Sequence, residues 1–155
     1  MSSTRLKALR ILVVAILVLL AVQYEFGMAV NMANPPSLSP FSFSIPQISD
    51  ALHHAGEIAW IHAILGAWLV ILSIPSLILS LRSGLRSAQV LGVLSFLTVV
   101  FAAGGGLFFV LSGFQDDQAS HTMATNFLLS FAFFFLELYA IKPAKGNSPP
   151  AASQG

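Results

Sequence analysis

The sequence predicts an all-α polytopic membrane protein with four transmembrane helices in an up-down-up-down bundle. Hydrophobic residues make up 56% of the 155 residues and charged residues only 8%, which is typical of integral membrane proteins. Four apolar segments are long enough to cross a bilayer. All seven basic residues fall on one side of those segments, at Arg5, Lys7, Arg10, Arg82, Arg86, Lys142 and Lys145. The positive-inside rule therefore predicts cytoplasmic N- and C-termini and a multi-pass protein of the cell (plasma) membrane.

The first predicted span, residues 11–32, follows a short cytoplasmic segment, residues 1–10. A basic segment before an apolar run is also typical of a secretory signal, but this run is long for one and no A-x-A cleavage site follows it. A retained span is therefore favoured. Residues 33–49 are predicted to form a loop because four prolines interrupt them. The sequence leaves open whether this loop folds over the end of the bundle.

The second predicted span, residues 51–81, is longer than the roughly 20 residues that a crossing needs. Its first two turns are therefore expected to project beyond the hydrocarbon, and Pro75 predicts a kink. The third and fourth spans, 88–111 and 119–141, follow short turns, so successive spans are expected to be antiparallel neighbours. The remainder, 142–155, has the composition of a disordered tail.

Charge and cysteine usage narrow the function classes. A net charge of +1 gives no reason to expect nucleic acid as a partner, whereas membrane lipid is expected on every span. The absence of Cys excludes disulfides, a thiolate nucleophile, Cys-ligated iron–sulfur clusters and covalent c-type haem attachment.

Two histidines are predicted to lie at one depth. A helix rises 1.5 Å per residue and the hydrocarbon is about 30 Å thick. Counting residues from a basic residue at the inner end of a span therefore gives the depth of any other residue on that span. His62 and His121 each lie about 20 residues outward of such a residue, Arg82 and Lys142 respectively. Both imidazoles are therefore expected near the outer leaflet.

The other two spans place small residues close to this level. Second and fourth helices of an up-down bundle are usually diagonal, so their side chains can meet at the centre. Glycines on the other helices can then leave room for a flat group. This pattern predicts a haem b with His62 and His121 as axial ligands. Its walls would come from Gly27, Gly104, Gly105 and Gly106, with Met28 as an alternative ligand.

Three short segments resemble one four-helix half of the haem A synthase family: His-Ala-Ile-Leu-Gly at 62–66, the glycine-rich third span ending in Leu-Phe-Phe-Val-Leu-Ser-Gly-Phe at 107–114, and His-Thr-Met-Ala at 121–124. The resemblance covers roughly residues 11–141. It implies haem ligation by His from the second and fourth helices, which are His62 and His121 here. The family usually has Glu three residues before the first His and Arg after it, whereas Glu57 is five before and Ala63 follows. The family also joins two halves, so oxidation of a haem methyl group would need a homodimer or a partner.

Four further ionisable residues receive predicted roles. Glu25 and Glu57 can carry protons or fix an imidazole tautomer, although Glu57 can equally be a solvated interfacial acid. His54 can contact a haem propionate or bind a second metal together with Asp116 and Asp117, unless it belongs to a solvated helix end. Glu137 is close to Lys142 and is predicted to snorkel to the inner interface.

The predicted function is a b-type haem protein with bis-His ligation, serving electron transfer or haem handling. Iron with both axial positions filled does not readily take O₂. Quinol or an extracytoplasmic redox protein would be the partner. One alternative is a cofactor-free small subunit or assembly factor of a respiratory complex, in which the glycines are helix contacts. The other is a dimeric haem-modifying oxidase similar to haem A synthase.

Overall fold

The computed structural model of the protein describes residues 3–33, 35 and 37–141. In this part of the chain the regular structure consists of five helices: α1 Ser3–Met32, α2 Ile45–His54, α3 Glu57–Leu81, α4 Arg86–Leu111 and α5 Asp117–Ala140. Helices α1, α3, α4 and α5 are each long and apolar enough to cross a membrane, which confirms the prediction of an all-α, multi-pass protein. The predicted tail, 142–155, lies outside the described residues.

The predicted second span is divided into two helices. Gly56 separates α2 from α3 with a φ of 99°, a backbone conformation that glycine adopts at little cost. The segment before it therefore forms a separate short helix instead of projecting turns of α3. Pro46 lies in the first turn of α2, where a missing N–H breaks no helical hydrogen bond. Pro75 lies inside α3 and does not end it.

The four long helices pack in a ring in which α1 contacts α3, α3 contacts α4, α4 contacts α5 and α5 contacts α1. Within the described residues α3 and α5 make no close backbone approach, so they are diagonal, as expected for the second and fourth spans. The core of the ring contains Leu9, Val13, Ile16 and Leu20 of α1 together with Leu69, Val99, Phe134 and Ile141. Large apolar side chains such as Phe101 and Phe135 are exposed on the outside of the ring, as is typical of helices that face lipid.

One glycine brings α4 and α5 into backbone contact. A Cβ built on Gly105 would lie 2.8 Å from the backbone nitrogen of Met123 and 3.0 Å from the carbonyl oxygen of Ala119. Close approach of this kind is the usual use of glycine between membrane helices. By contrast, a Cβ on Gly104 would have no neighbour within 4 Å.

The proline-rich loop is fastened to the turn between α4 and α5. Leu38 donates its backbone N–H to Gly113 at 3.0 Å, and Phe41 donates to Leu111 at 3.0 Å. The side-chain amide of Gln115 donates to the Leu38 carbonyl oxygen at 2.7 Å. These bonds place residues 38–41 against the α4–α5 turn, at the end of the bundle opposite the α3–α4 turn.

Candidate functional site

His62 lies on the side of α3 that faces the bundle. At 100° per residue it falls in line with Leu69 and Ser73, which are both buried. Its Nε2 is 3.3 Å from the amide nitrogen of Gln23 on α1, and the same amide donates to the His62 carbonyl oxygen at 3.1 Å. A Cβ built on Gly27 would lie 3.0 Å from His62 Cε1. The Nδ1 atom of His62 and the Oε1 atom of Gln23 are buried without a hydrogen-bond partner.

His121, unlike His62, faces the outside of the bundle. It is exposed on α5, on the side of the helix where Leu128 and Tyr139 are also exposed. Ser130, which is fully buried, follows nine residues later, and nine residues at 100° each separate the two side chains by about 180°. The structure therefore does not bring His121 to His62. Counting residues from a basic residue gives the depth of a side chain along its helix, but it does not tell which side of the helix that side chain is on.

The surroundings of His62 fit a haem only in part. Gly27 is a predicted wall residue that the structure does bring to His62, and the buried Nδ1 is free of a partner. The space beside Gly105 is filled by the backbone of α5, so this glycine leaves no room for a macrocycle. Met28 is partly exposed on α1. Ligation of one haem by both histidines thus stays a prediction.

The predicted accessory residues do not surround His62. Glu25 and Glu57 are exposed, and Gln23 occupies the position beside the imidazole that an acid was expected to hold. His54 is exposed and its Nδ1 lies 2.7 Å from the carbonyl oxygen of Asp50 on its own helix. Asp116 caps α5 by accepting from the Ala119 N–H at 3.0 Å. Among the described residues no three His, Asp or Glu side chains converge as in a metal site.

The prediction that Glu137 snorkels to the interface is wrong. This residue is 0% exposed. Ser130 lies seven residues before it and Phe134 three, so all three side chains are on the same side of α5, which faces the bundle interior. Ser80 of α3 donates a short hydrogen bond to Glu137 Oε1. Gly92 of α4 stands beside both, since a Cβ there would lie 2.7 Å from Ser80 Oγ and 3.3 Å from Glu137 Oε1. Glu137 Oε2 is buried without a partner.

Buried hydroxyl groups continue from this site toward the middle of the bundle, and we refer to them as the hydroxyl ladder. Each is 7% exposed or less: Ser73, Ser76 and Ser80 of α3, Ser95 and Thr98 of α4, and Ser130 of α5. Several bond to the backbone of their own helix, and Ser130 also donates to Thr98 Oγ1 at 3.0 Å. The Oγ atoms of Ser76 and Ser95 have no partner. The 3/4 spacing of the α3 serines was visible in the sequence and was the available signal for this site.

Among the described residues, no charged side chain is buried with the Glu137 carboxyl. Within the part of the chain that the structure describes, every other Asp, Glu, Lys and Arg is exposed. An ionised carboxylate without a counter-charge is costly in an apolar interior. The site therefore suits either a neutral carboxylic acid or a carboxylate that holds a bound cation.

Comparison with known proteins found no matching family model, no matching curated protein and no matching solved structure.

Proposed function

We propose that the protein reversibly binds a proton inside its transmembrane bundle, with the Glu137 carboxyl as the binding group. The observation that carries this proposal is the complete burial of that carboxyl without a counter-charge among the described residues. Acids that face the interior of a membrane bundle typically mark ion or proton sites. Ser80 Oγ is hydrogen-bonded to Oε1 and shares its single proton between that oxygen and the Ser76 carbonyl oxygen. The unpartnered Oε2 is the oxygen proposed to take up and release the proton.

The position of the site suggests the side from which the proton arrives. Arg82 directly follows α3 and Arg86 begins α4, so the turn between these helices is a basic end of the bundle close to the Ser80–Glu137 contact. Under the positive-inside rule this end faces the cytoplasm of a plasma-membrane protein whose four spans alternate in direction. The proton would then reach Glu137 from the cytoplasmic side.

Infrared difference spectroscopy of the protein in lipid tests the proposal. Between acid and alkaline pH we expect a carbonyl band of a protonated carboxylic acid to appear and disappear, with the small shift in D₂O that such groups show. Glu137→Gln should remove this band, because the amide keeps the size of the side chain but cannot titrate. Ser80→Ala should move the band, since Oε1 loses its hydrogen-bond donor.

Glu25→Gln is the matched control, because Glu25 is exposed on α1 and lies outside the site. A pH-dependent band that survives Glu137→Gln would refute the proposal. So would a band that responds to added NaCl at constant pH and not to pH itself, because the site would then bind a metal cation.

A second candidate function is haem binding through His62, favoured by its unpartnered Nδ1 beside Gly27. When bound, a haem would supply one-electron chemistry. In this arrangement His62 would hold the group and Gln23 would orient the imidazole. The cofactor-free subunit and the dimeric oxidase stay predictions.

The visible spectrum of the purified protein tests haem binding. If His62 is a ligand, a Soret band should be lost in His62→Ala. In His121→Ala the band should remain, because His121 faces outward on α5. Loss of the band in both variants would instead support the original ligand pair, and a colourless preparation after growth with added haem would remove this candidate.

A further inference from the structure

We infer that the bundle conducts protons across the membrane between Glu137 and His62, along a polar path on α3 that one apolar layer interrupts. The inference rests on the proposed proton binding at Glu137. In the described chain these two are the titratable side chains that are not exposed. His62 lies near the start of α3, and Glu137 of α5 contacts Ser80 near the end of α3.

From the Glu137 end, the ladder rises in three levels. Ser80, Gly92 and Glu137 meet at the first level. Ser76 and Ser95 are one turn farther along their helices, at heights that agree within about 1.5 Å at the rise of an α-helix. Ser73 lies at the level of the Thr98–Ser130 pair by the same count. The ladder therefore extends roughly 10 Å from the carboxyl into the bundle.

Hydroxyl groups are suited to this relay. A serine hydroxyl accepts a proton on its oxygen from the group behind it and releases its own proton to the group ahead, so no electron moves and no covalent bond other than O–H changes. The Oγ atoms of Ser76 and Ser95 and the Oε2 atom of Glu137 have no hydrogen-bond partner, so neighbouring groups of the ladder are not in direct contact there and the relay needs a water molecule to bridge them.

The other end of the path begins at His62. Its imidazole and the Gln23 amide form a polar pair between α3 and α1, and each retains one buried atom without a partner. A Cβ built on Gly66 would lie 3.3 Å from the Gln23 amide nitrogen, so this amide reaches one turn down α3 from His62. The His62 imidazole can accept a proton at one nitrogen and release one from the other.

Leu69 and Leu20 separate the two polar regions. They are 4% and 1% exposed, and Phe127 of α5 packs against the same core. Ser73 and Gly66 are seven residues apart on α3, about 10 Å, which exceeds any single hydrogen bond. A narrow apolar layer of this kind conducts only when water enters it. This layer, defined by Leu20, Leu69 and Phe127, is the gate of the proposed path.

Proton flux into liposomes tests the inference. The full-length protein is reconstituted in phosphatidylcholine–phosphatidylglycerol vesicles that contain a pH-sensitive dye, and a potassium gradient with valinomycin drives proton entry. Leu69→Ser should raise the flux severalfold, because a hydroxyl in the gate shortens the gap and favours water. Ile71→Ser is the matched control, since Ile71 is on the same helix but faces lipid, and it should leave the flux unchanged.

The flux through Leu69→Ser must depend on both ends of the path. Adding Glu137→Gln or His62→Ala to that variant should return the flux to the wild-type level, whereas adding His121→Ala should not. Helix content and elution volume verify that each variant is folded. The inference is wrong if Leu69→Ser conducts no better than Ile71→Ser, or if its flux survives either Glu137→Gln or His62→Ala. If the wild type shows the Glu137 infrared band but Leu69→Ser shows no added flux, proton conduction is refuted and proton binding at Glu137 stands. If the wild type shows no such band, the proposed function itself is refuted.

Discussion

Gly113→Ala is expected to lower the free energy of unfolding by about 3 kcal/mol, the largest effect of a single methyl group in this chain. Gly113 has a φ of 68°, which alone costs a non-glycine residue about 1 kcal/mol or more. The added Cβ would also overlap the carbonyl group of Leu38, whose backbone N–H bonds to Gly113. Either the α4–α5 turn or the proline-rich loop must move to accept it.

Gly84→Ala separates the two causes. Gly84 has a similar φ of 71° in the α3–α4 turn, but a Cβ there would meet nothing within 4 Å. We expect it to cost about 1 kcal/mol, from backbone conformation only. Unfolding of both variants in mixed micelles with increasing SDS gives the comparison. Equal losses in the two variants would show that residues 38–41 do not pack on the α4–α5 turn in the membrane-bound protein.

Gly105→Ala is expected to lower the free energy of unfolding by about 2 kcal/mol. The new methyl group would press on backbone atoms of Met123 and Ala119, which cannot rotate away as a side chain can. Helices α4 and α5 would have to separate along their length, and the hydrogen bond between Ser130 and Thr98 would weaken with them. The same SDS titration measures the loss.

The adjacent Gly104→Ala is the control for that substitution. A Cβ at Gly104 has no neighbour within 4 Å, and alanine favours a helix over glycine by up to about 1 kcal/mol. The two neighbouring substitutions are therefore expected to act in opposite directions. If Gly105→Ala is tolerated as well as Gly104→Ala, then α4 and α5 are not in backbone contact there, and the glycines would again be available as the wall of a cofactor pocket.

The helices were largely predictable, and their boundaries less so. The predicted spans 88–111 and 119–141 agree with α4 and α5 to within two residues at each end. The second span was predicted as one segment because residues 51–81 are mostly apolar. Its division depends on the positive φ of Gly56, and a glycine in a helical pattern does not reveal which conformation it adopts.

The candidate sites were less predictable than the helices. Depth counting placed Glu137 near the inner end of its helix, and the expectation that it snorkels followed from that position. The structure instead turns it toward Ser80 and Gly92, on two other helices. Depth counting likewise paired His121 with His62, although the two side chains face different surroundings. In both cases the direction of the side chain around the helix axis was the missing quantity.

The sequence by itself determined that the chain has four long helices and that each is long and apolar enough to cross a membrane. A bilayer crossing needs about 20 apolar residues, and the backbone groups in it must hydrogen-bond to one another, as they do in a helix. Long apolar runs in the sequence therefore predict such helices. Only the tertiary structure decided which side of each helix faces its neighbours. In a soluble helix the polar face would indicate this, but here apolar residues surround each span because lipid is as apolar as the core. Glu137 lies inside the bundle beside Ser80 and Gly92, whereas His121 lies on the outward side of α5.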